Sequence, residues 1–252
     1  MHKKISKNKY YTFSCFEDEC ENLDFYKGSR LSTIFVQEGK IEVQIKNTQE
    51  LILIKKDQGI IVTPNINIKI IPGKFKIFET CSLVNNKPII EITDDNGQRT
   101  ENILNSFKII VNPKHVKKPW GHEKWISWFK HHHVLKQIYM LKGNKCSLQF
   151  HRFKYETNIM IEGTAKVLKD IKIKENLNEK EALEEFNKID NLNDYLTEAD
   201  KDFYWSNVPN EIHRVYSIKD YLAYETSTPE LDDVIRIEDD NNRLSGLISS
   251  EH

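Results

Sequence analysis

The sequence predicts an all-β fold made of antiparallel strands in two tandem domains. Three observations predict it: the apolar segments are short, many alternate apolar and polar residues with the period of a strand, and turn-forming residues separate them. In the first half such segments occur at 32–36, 40–45, 51–54, 59–63, 66–71, 76–83 and 88–93. In the second half they occur at 134–141, 146–151, 156–161, 164–168, 213–217 and 221–226.

A glycine motif occurs once in each half and supports the division into two domains. Gln-Glu-Gly-Lys at 37–40 and Ile-Glu-Gly-Thr at 161–164 both stand between strand-like segments. Each predicts a strand, a tight glycine turn and a second strand. The polar segment 94–100 contains Asn-Gly, a strong turn signal. We therefore set the domains at 1–100 and 101–252.

One segment of the second half breaks the strand pattern. Residues 173–200 are rich in Glu, Lys, Asn and Leu, and the apolar residues of 179–189 have helical spacing. Because a β-domain connects its strands by short turns, we expect an insertion at about 169–203 that carries one amphipathic helix. A solvated surface insertion is the simpler interpretation, and a lid or a partner-binding arm is the alternative.

The charge and the absence of targeting signals exclude several classes of function. Lys and Arg number 37 and Asp and Glu 38, so a general electrostatic attraction to nucleic acid is not expected. The first residues lack the apolar core of a signal peptide, and no apolar run reaches 18 residues. The four cysteines form no Cys-x-x-Cys pair. We expect a cytoplasmic protein with reduced thiols and no membrane partner.

The most informative residues form a possible set of metal ligands. Gln149 and His151 are two residues apart in a predicted strand, so their side chains share one face. Glu156 follows after a short turn, and His213 begins a later strand. Imidazole, carboxylate and amide groups suit zinc, iron, manganese, nickel or cobalt. Residues 3–114 contain no histidine, so the first domain cannot build such a site.

The sequence around these residues resembles the motifs of the cupin superfamily. Gly143, His151, Glu156 and Gly163, followed by Pro209 and His213, resemble its two motifs. The second half is similar to type II mannose-6-phosphate isomerases and related sugar-phosphate cupins in four segments: Lys-Pro-Trp-Gly-His-Glu at 118–123, Ser-Leu-Gln-Phe-His at 147–151 with Glu-Thr at 156–157, 207–215, and 225–240 with Arg243. The resemblance implies a bicupin, two tandem antiparallel β-barrels of the jelly-roll type with a short helical insertion in the second, and a sugar phosphate at the metal-bearing barrel mouth.

One departure from the cupin pattern changes the expected ligand set. The usual motif has a second histidine two residues after the first, where this chain has Phe153. Gln149, two residues before His151, is the natural substitute. We therefore predict Gln149, His151, Glu156 and His213 as ligands of a divalent metal ion. Zinc is the first choice, and manganese, iron, nickel and cobalt are the alternatives.

The resemblance also implies roles for residues around the ligands. Lys118 and Trp120 belong to the family segment and are candidate substrate-binding residues, although Trp120 could equally be a packing residue. Arg214 is a candidate phosphate partner, even though a regular strand would turn it away from His213. Lys136 and Glu225 are the candidate proton shuttles. Residues 232–240 are expected to be a structural C-terminal extension, and the three consecutive histidines at 131–133 a polar surface turn.

Three functions are compatible with these residues. The first is a metal-dependent isomerase that interconverts an aldose phosphate and a ketose phosphate, as mannose-6-phosphate isomerase does, for sugar-nucleotide or surface-polysaccharide synthesis. The second is another metal-dependent cupin enzyme, an epimerase, lyase or dioxygenase, because one site supports several reactions. The third is a non-catalytic sugar-binding bicupin. In each case we expect a homodimer that covers exposed sheet edges.

Overall fold

A computed structural model describes residues 2–17, 23–25, 30–46, 48–85, 87–92, 99–102 and 105–246. Most of the predicted turn at 94–100, as well as Cys20, lies outside these residues. The chain is mostly antiparallel β-sheet and divides into two compact units. The first unit comprises Met1–Lys114 and Trp125–Leu135, and the second comprises His115–Lys124 and Lys136–His252. Residues 101–114 thus group with the first unit; the predicted domain roles stay predictions.

The first unit contains a nine-stranded sheet and a two-stranded sheet. Its strands are β1 (His2–Lys7), β2 (Tyr11–Glu17), β3 (Leu23–Phe25), β4 (Ser32–Ile45), β5 (Glu50–Lys55), β6 (Gly59–Val62), β7 (Ile68–Ile70), β8 (Phe75–Ser82), β9 (Ile90–Ile92), β10 (Arg99–Asn102) and β11 (Phe107–Ile110). The main sheet has the order β1-β2-β8-β4-β6-β11, and β4 also pairs with β5 and β7. Aliphatic side chains of β4, β6, β7 and β8 form its core.

The predicted glycine turn at 37–40 is not a hairpin. Strand β4 runs through it without interruption, with an irregular register between Val36 and Glu38. Gly39 has a φ of +73°, and a Cβ on it would lie 2.3 Å from the carbonyl oxygen of Lys74. Glycine is therefore needed for a close backbone approach while the strand changes partners, from β6 and β8 before the bend to β5 and β7 after it.

The second half of the chain forms two further sheets. Its elements are β12 (Lys114–Lys118), β13 (Gly121–Trp128), β14 (Val134–Met140), β15 (Leu148–Phe150), β16 (Glu156–Glu162), β17 (Ala165–Lys172), α1 (Glu179–Phe186), a 3₁₀ turn (Leu192–Tyr195), β18 (Leu196–Ala199), β19 (Tyr204–Asn207), β20 (Glu211–Ser217), β21 (Tyr221–Ser227) and β22 (Ile235–Glu238). The sheet orders are β12-β13-β14-β21-β16-β19 and β18-β17-β20-β15-β22. The described strands form separate sheets, so closed barrels stay a prediction.

Two apolar clusters organise the second unit. One lies between its sheets, because it combines Met140, Met160 and Tyr221 of the first sheet with Val167 and Val215 of the second. The other covers the outer face of the five-stranded sheet and includes side chains of α1. Helix α1 starts at a capping box formed by Asn178 and Glu181. Within the described part of the chain, no helix is long and apolar enough to cross a membrane.

Candidate metal centre

Two paired strands and a third strand in the opposing sheet of the second unit bring the predicted ligands together. Gln149 in β15 pairs directly with His213 in β20, and His151 follows the end of β15. Glu156 begins β16 in the opposing sheet. Val215, two residues after His213, packs in the cluster between the sheets, so the alternation of the strand turns His213 to the same side. The polar site therefore lies between the two sheets, beyond the end of their apolar core.

The two histidines converge on one carboxylate. His151 Nε2 lies 3.3 Å from Glu156 Oε1, and His213 Nε2 lies 3.7 Å from Glu156 Oε2. One ligand atom from each residue can be chosen so that all three lie within 4.8 Å of one another. All three residues are at most 5% exposed. Within the described residues, this is the one group of three such side chains with metal-ligand geometry.

Backbone carbonyl groups hold both imidazoles in the orientation that a metal ligand needs. His151 Nδ1 contacts the carbonyl oxygen of Asp233, and His213 Nδ1 lies 3.0 Å from the carbonyl oxygen of Glu211. Since a carbonyl only accepts, each neutral ring carries its proton on Nδ1 and keeps a lone pair on Nε2. This is the hydrogen-bond pattern of a metal-ligating histidine.

The charge states of these groups also fit a cation. Burial lowers the pKa of His213 to about 4, although the Glu156 carboxylate acts in the opposite direction. Burial would raise the pKa of Glu156, but Lys154 and the two histidines hold it well below its ordinary value. His151 Nε2 is buried and has no hydrogen-bond donor. Two converging imidazoles, a carboxylate and this orphaned nitrogen fit a divalent zinc, manganese, iron, nickel or cobalt ion.

Gln149 lies at the site, but its side-chain amide directs the NH₂ group, not the carbonyl oxygen, toward the candidate ligands. Its Nε2 lies 3.3 Å from His213 Nε2, and its Oε1 accepts a hydrogen bond of 2.5 Å from the Ser147 hydroxyl. An NH₂ group cannot bind a cation, whereas the amide oxygen can. A half-turn of the amide would present Oε1 to the site and leave Nε2 to the Ser147 hydroxyl. The sequence prediction of Gln149 as a fourth ligand requires that rotation.

Two residues that the sequence analysis missed complete the surroundings of Glu156. The Lys154 ammonium contacts Glu156 Oε1 and lies 3.3 Å from Glu225 Oε1. Burial would lower the pKa of Lys154, but these two carboxylates raise it above its ordinary value. Asn207 donates from Nδ2 to Glu156 Oε2 over 2.9 Å. The spacing of two between Lys154 and Glu156 was the available signal, since it puts both on one face of an extended segment.

The two predicted proton shuttles are both buried in the second unit. Glu225 is 7% exposed and shares the Lys154 ammonium with Glu156, so it is a close neighbour of the candidate ligands. Lys136 is 6% exposed and forms an ion pair of 3.2 Å with Glu123. Lys118 Nζ lies 4.0 Å from the same Glu123 carboxylate. Lys118 and Lys136 thus form a second ionic group, in which Glu123 is the common partner.

Two predicted substrate-binding residues make contacts away from the candidate ligands. Trp120 packs in the apolar cluster between the sheets and is 6% exposed, so it lacks the open ring face that stacking on a sugar needs. Arg214 points away from His213, as a regular strand requires. Its guanidinium donates to the Cys146 carbonyl over 2.8 Å and to Asp240 over 2.7 Å. These contacts favour the packing interpretation of Trp120 and direct Arg214 away from the candidate ligands, and the substrate-binding roles of both residues stay predictions.

The predicted surface turn at 131–133 is wrong for two of its histidines. In the first unit, His132 is 4% exposed and His133 is fully buried. His133 Nε2 lies 2.9 Å from the Thr33 hydroxyl, and His132 Nδ1 lies 2.9 Å from the Ser82 hydroxyl. The physical reason is that a hydroxyl group on a sheet of the first unit bonds one ring nitrogen of each imidazole, which supports burial of the ring in its uncharged form. Burial lowers the pKa of His133 to about 3.

Comparison with known proteins agrees with this geometry. Residues 107–197, about a third of the chain, match the family model described as mannose-6-phosphate isomerase C-terminal. That segment includes Gln149, His151 and Glu156 and ends before His213. No curated protein matches the chain by sequence.

Solved structures show the fold. An IolB-like protein from Salmonella typhimurium LT2 is 10% identical with a TM-score of 0.59, over 94% of this chain and 86% of that one. Oxalate decarboxylase from Lactobacillus farciminis is 9% identical, with a TM-score of 0.58 over 91% of this chain and 80% of that one. Quercetin 2,3-dioxygenase from Acinetobacter baumannii is 10% identical, with a TM-score of 0.57 over 89% and 70%. The chain has a cupin fold. The resemblance that the sequence motifs predict is thereby confirmed, and the cupin fold places the His-Glu-His group between the sheets of the second unit.

Proposed function

We propose that this cupin is a metal-dependent isomerase that interconverts an aldose phosphate and a ketose phosphate, with mannose 6-phosphate as the substrate to test first. The observation that carries the proposal is the convergence of two buried imidazole Nε2 atoms on the Glu156 carboxylate. The family match over 107–197 supports the choice of reaction. The proposal includes a sugar phosphate as the partner, a homodimer, and a cytoplasmic location.

The residues around the site are suited to the proton transfer that this reaction needs. Isomerisation removes the proton on the sugar carbon that carries the hydroxyl, forms an enediol, and returns a proton to the neighbouring carbonyl carbon. Glu225 can accept and return that proton as a carboxylate beside the candidate ligands. Lys154 can hold Glu225 in place through its 3.3 Å contact. A divalent ion held by His151, Glu156 and His213 would supply polarisation of the two sugar oxygens.

The proposal also assigns the first unit as a second, metal-free repeat of the same fold, and the strand registers support this assignment. Ser32 in β4 stands seven residues before Gly39, as Glu156 stands seven residues before Gly163. Ser32 pairs with one residue in β6 and one in β8, and Glu156 pairs with one residue in β19 and one in β21. Both strands have a register irregularity just before the glycine. We therefore propose that the first unit is a second cupin repeat.

The same registers fit the finding that the described residues of the first unit form no group with metal-ligand geometry. Ser32 occupies the position of Glu156, so the carboxylate ligand is replaced by a hydroxyl. Val62 pairs with Ser32 where Asn207 pairs with Glu156. A cation would therefore find neither the carboxylate nor the amide that supports it. A structural or dimer-forming role fits a repeat that has lost these groups.

A direct assay tests the isomerase proposal. The purified protein is loaded in turn with zinc, manganese, cobalt, nickel and ferrous iron and incubated with mannose 6-phosphate. NMR should then show fructose 6-phosphate, with the activity lost in a His151→Ala, His213→Ala double variant. No conversion with any of the five metals overturns the mannose 6-phosphate assignment.

A second candidate is favoured by the names of two structural neighbours, a quercetin dioxygenase and an oxalate decarboxylase. The same ligand set could serve a metal-dependent epimerase, lyase or dioxygenase, because the fold does not fix the reaction. Oxygen consumption by the iron-loaded protein would favour a dioxygenase, whereas activity with zinc or manganese without oxygen would favour the isomerase. Sugar binding that survives the double histidine variant, together with no turnover, would favour a non-catalytic bicupin.

A further inference from the structure

The C-terminal segment passes beside the turn that joins two candidate ligands. Strand β22 pairs with β15, and Ile235 is opposite Phe150, the residue before His151. The residues that precede β22 therefore lie along the turn 152–155 between His151 and Glu156. A backbone hydrogen bond from Asp233 N–H to the Glu230 carbonyl helps to shape this segment.

The side chain of Asp233 binds most of the backbone donors of that turn. Its Oδ1 accepts from Arg152 N–H over 3.1 Å. Its Oδ2 accepts from Phe153 N–H over 2.6 Å and from Lys154 N–H over 3.0 Å. The fourth donor, Tyr155 N–H, bonds to the Thr228 hydroxyl over 3.1 Å. All four backbone N–H groups between the two ligands are thus held by residues of the C-terminal segment.

The main chain of the same aspartate holds the first ligand itself. The Asp233 carbonyl oxygen accepts from His151 Nδ1, which leaves the Nε2 lone pair directed at Glu156. We infer that Asp233 is a positioning residue of the metal centre, with its carboxylate fixing the turn and its carbonyl group fixing the His151 tautomer. This inference rests on the metal centre of the proposed function, and it makes the predicted structural extension a part of that centre.

The physical effect of Asp233 is to order the site before an ion arrives. A turn of four residues with unsatisfied N–H groups would sample several conformations, and His151 and Glu156 would then meet in only some of them. One carboxylate that accepts three N–H groups removes most of that freedom, and such charge-assisted bonds are stronger than neutral ones. Loss of a residue that orients a metal ligand weakens metal binding by about 10–100-fold.

Three variants separate this role from a general role in folding. Asp233→Ala removes the carboxylate, Asp233→Asn keeps one acceptor oxygen, and Asp232→Ala changes an exposed neighbouring aspartate as a matched control. Zinc affinity is measured by competition with a chelator, the His151 tautomer by ¹⁵N NMR of the metal-free protein, and folding by thermal unfolding. The His151 signal is assigned with His151→Gln.

We expect zinc affinity to fall by about 10–100-fold in Asp233→Ala, less in Asp233→Asn, and not at all in Asp232→Ala. Asp233→Ala keeps the backbone carbonyl group but releases the turn that the carboxylate holds against it, so the His151 ring should lose its single Nδ1–H form and show a mixture of tautomers. A folded Asp233→Ala with native zinc affinity and a native tautomer overturns the inference while leaving the metal centre intact. If Asp233→Ala does not fold, the same two readouts on Asp233→Asn decide.

A failure of the proposed function gives a different result. If the native chain binds none of the metals, the metal centre is wrong, and the metal-free NMR comparison still decides whether Asp233 sets the His151 tautomer. A loss of thermal stability in Asp233→Ala with unchanged zinc affinity and tautomer would show a purely structural residue and would also overturn the inference.

Discussion

Replacing Lys154 by methionine should change the stability and the metal affinity of this protein in opposite directions. The Lys154 ammonium is 4% exposed, contacts Glu156 and lies 3.3 Å from Glu225. Without it, two buried carboxylates face each other with no shared cation. Methionine keeps most of the side-chain volume, so the change is mainly one of charge. A bound divalent ion would supply the positive charge that the variant has lost.

The geometry sets the size of both effects. Removing one partner of a buried ion pair costs about 3–5 kcal/mol, so the free energy of unfolding of the metal-free protein should fall by about that amount. An ammonium and a divalent ion about 5 Å apart repel each other by about 1.7 kcal/mol even at the dielectric constant of water. Metal affinity should therefore rise by about 15-fold or more in the variant.

Urea unfolding of the metal-free protein and a chelator competition at pH 7.5 measure the two quantities. Lys166→Met, in which an exposed lysine of β17 is replaced, is the matched control and should change neither. A folded Lys154→Met protein whose metal affinity is unchanged or weaker would refute the reasoning, because Lys154 could then not be sharing the ligand carboxylate.

Three further outcomes follow from the described contacts. Glu225→Gln should lower kcat by about 10²–10⁴-fold in the isomerase assay while metal content stays native, and an unchanged kcat would remove it as the proton shuttle. Arg214→Met should leave KM for the sugar phosphate unchanged but lower the free energy of unfolding by about 1–3 kcal/mol, since the part-buried Cys146 carbonyl loses its guanidinium donor, and a raised KM would return Arg214 to the substrate. The pKa of His133 is about 3 in the folded chain, below its ordinary value of 6.5, so between these two pH values the unfolded chain binds more protons than the folded chain. The contribution of His133 to the free energy of unfolding is therefore fully present above about pH 6.5 and falls by up to about 1.4 kcal/mol per pH unit toward pH 3. Urea unfolding at pH 7 and pH 5 should show a smaller change of the free energy of unfolding with pH in His133→Gln than in the native chain. An equal change in both proteins would contradict this prediction.

Local patterns in the sequence were sufficient to predict most of the strands and part of the site. Short apolar runs and the strand period of two predict β5, β6, β8, β14, β16 and β21 within one or two residues, because both signals are local. The same period puts Gln149 and His151 together. It does not predict β1, β12 or β19, where lysine and polar residues obscure the pattern. The local pattern also does not predict the bend of β4, because the change of pairing partner depends on strands distant in the sequence.

The residues that were missed depend on contacts between distant segments. Lys154 reads as an exposed turn lysine, and it is buried because Glu225 lies beside it from a strand 71 residues later. Asp233 reads as one of several acidic residues, and its role appears only when β22 pairs with β15. His132 and His133 read as a polar turn because the hydroxyl groups that satisfy them belong to strands β4 and β8. In each case the chemistry of the residue was visible, whereas its partner was not.

Metal analysis of the purified protein tests the central claim most directly. The native chain, His151→Ala and His213→Ala are each incubated with zinc, dialysed and analysed for bound metal, with the exposed His115→Ala as the control. The geometry predicts about one ion per chain in the native protein and the control, and a loss of that ion in the other two variants. Equal metal contents in all four proteins would contradict the assignment of His151, Glu156 and His213 as a metal centre.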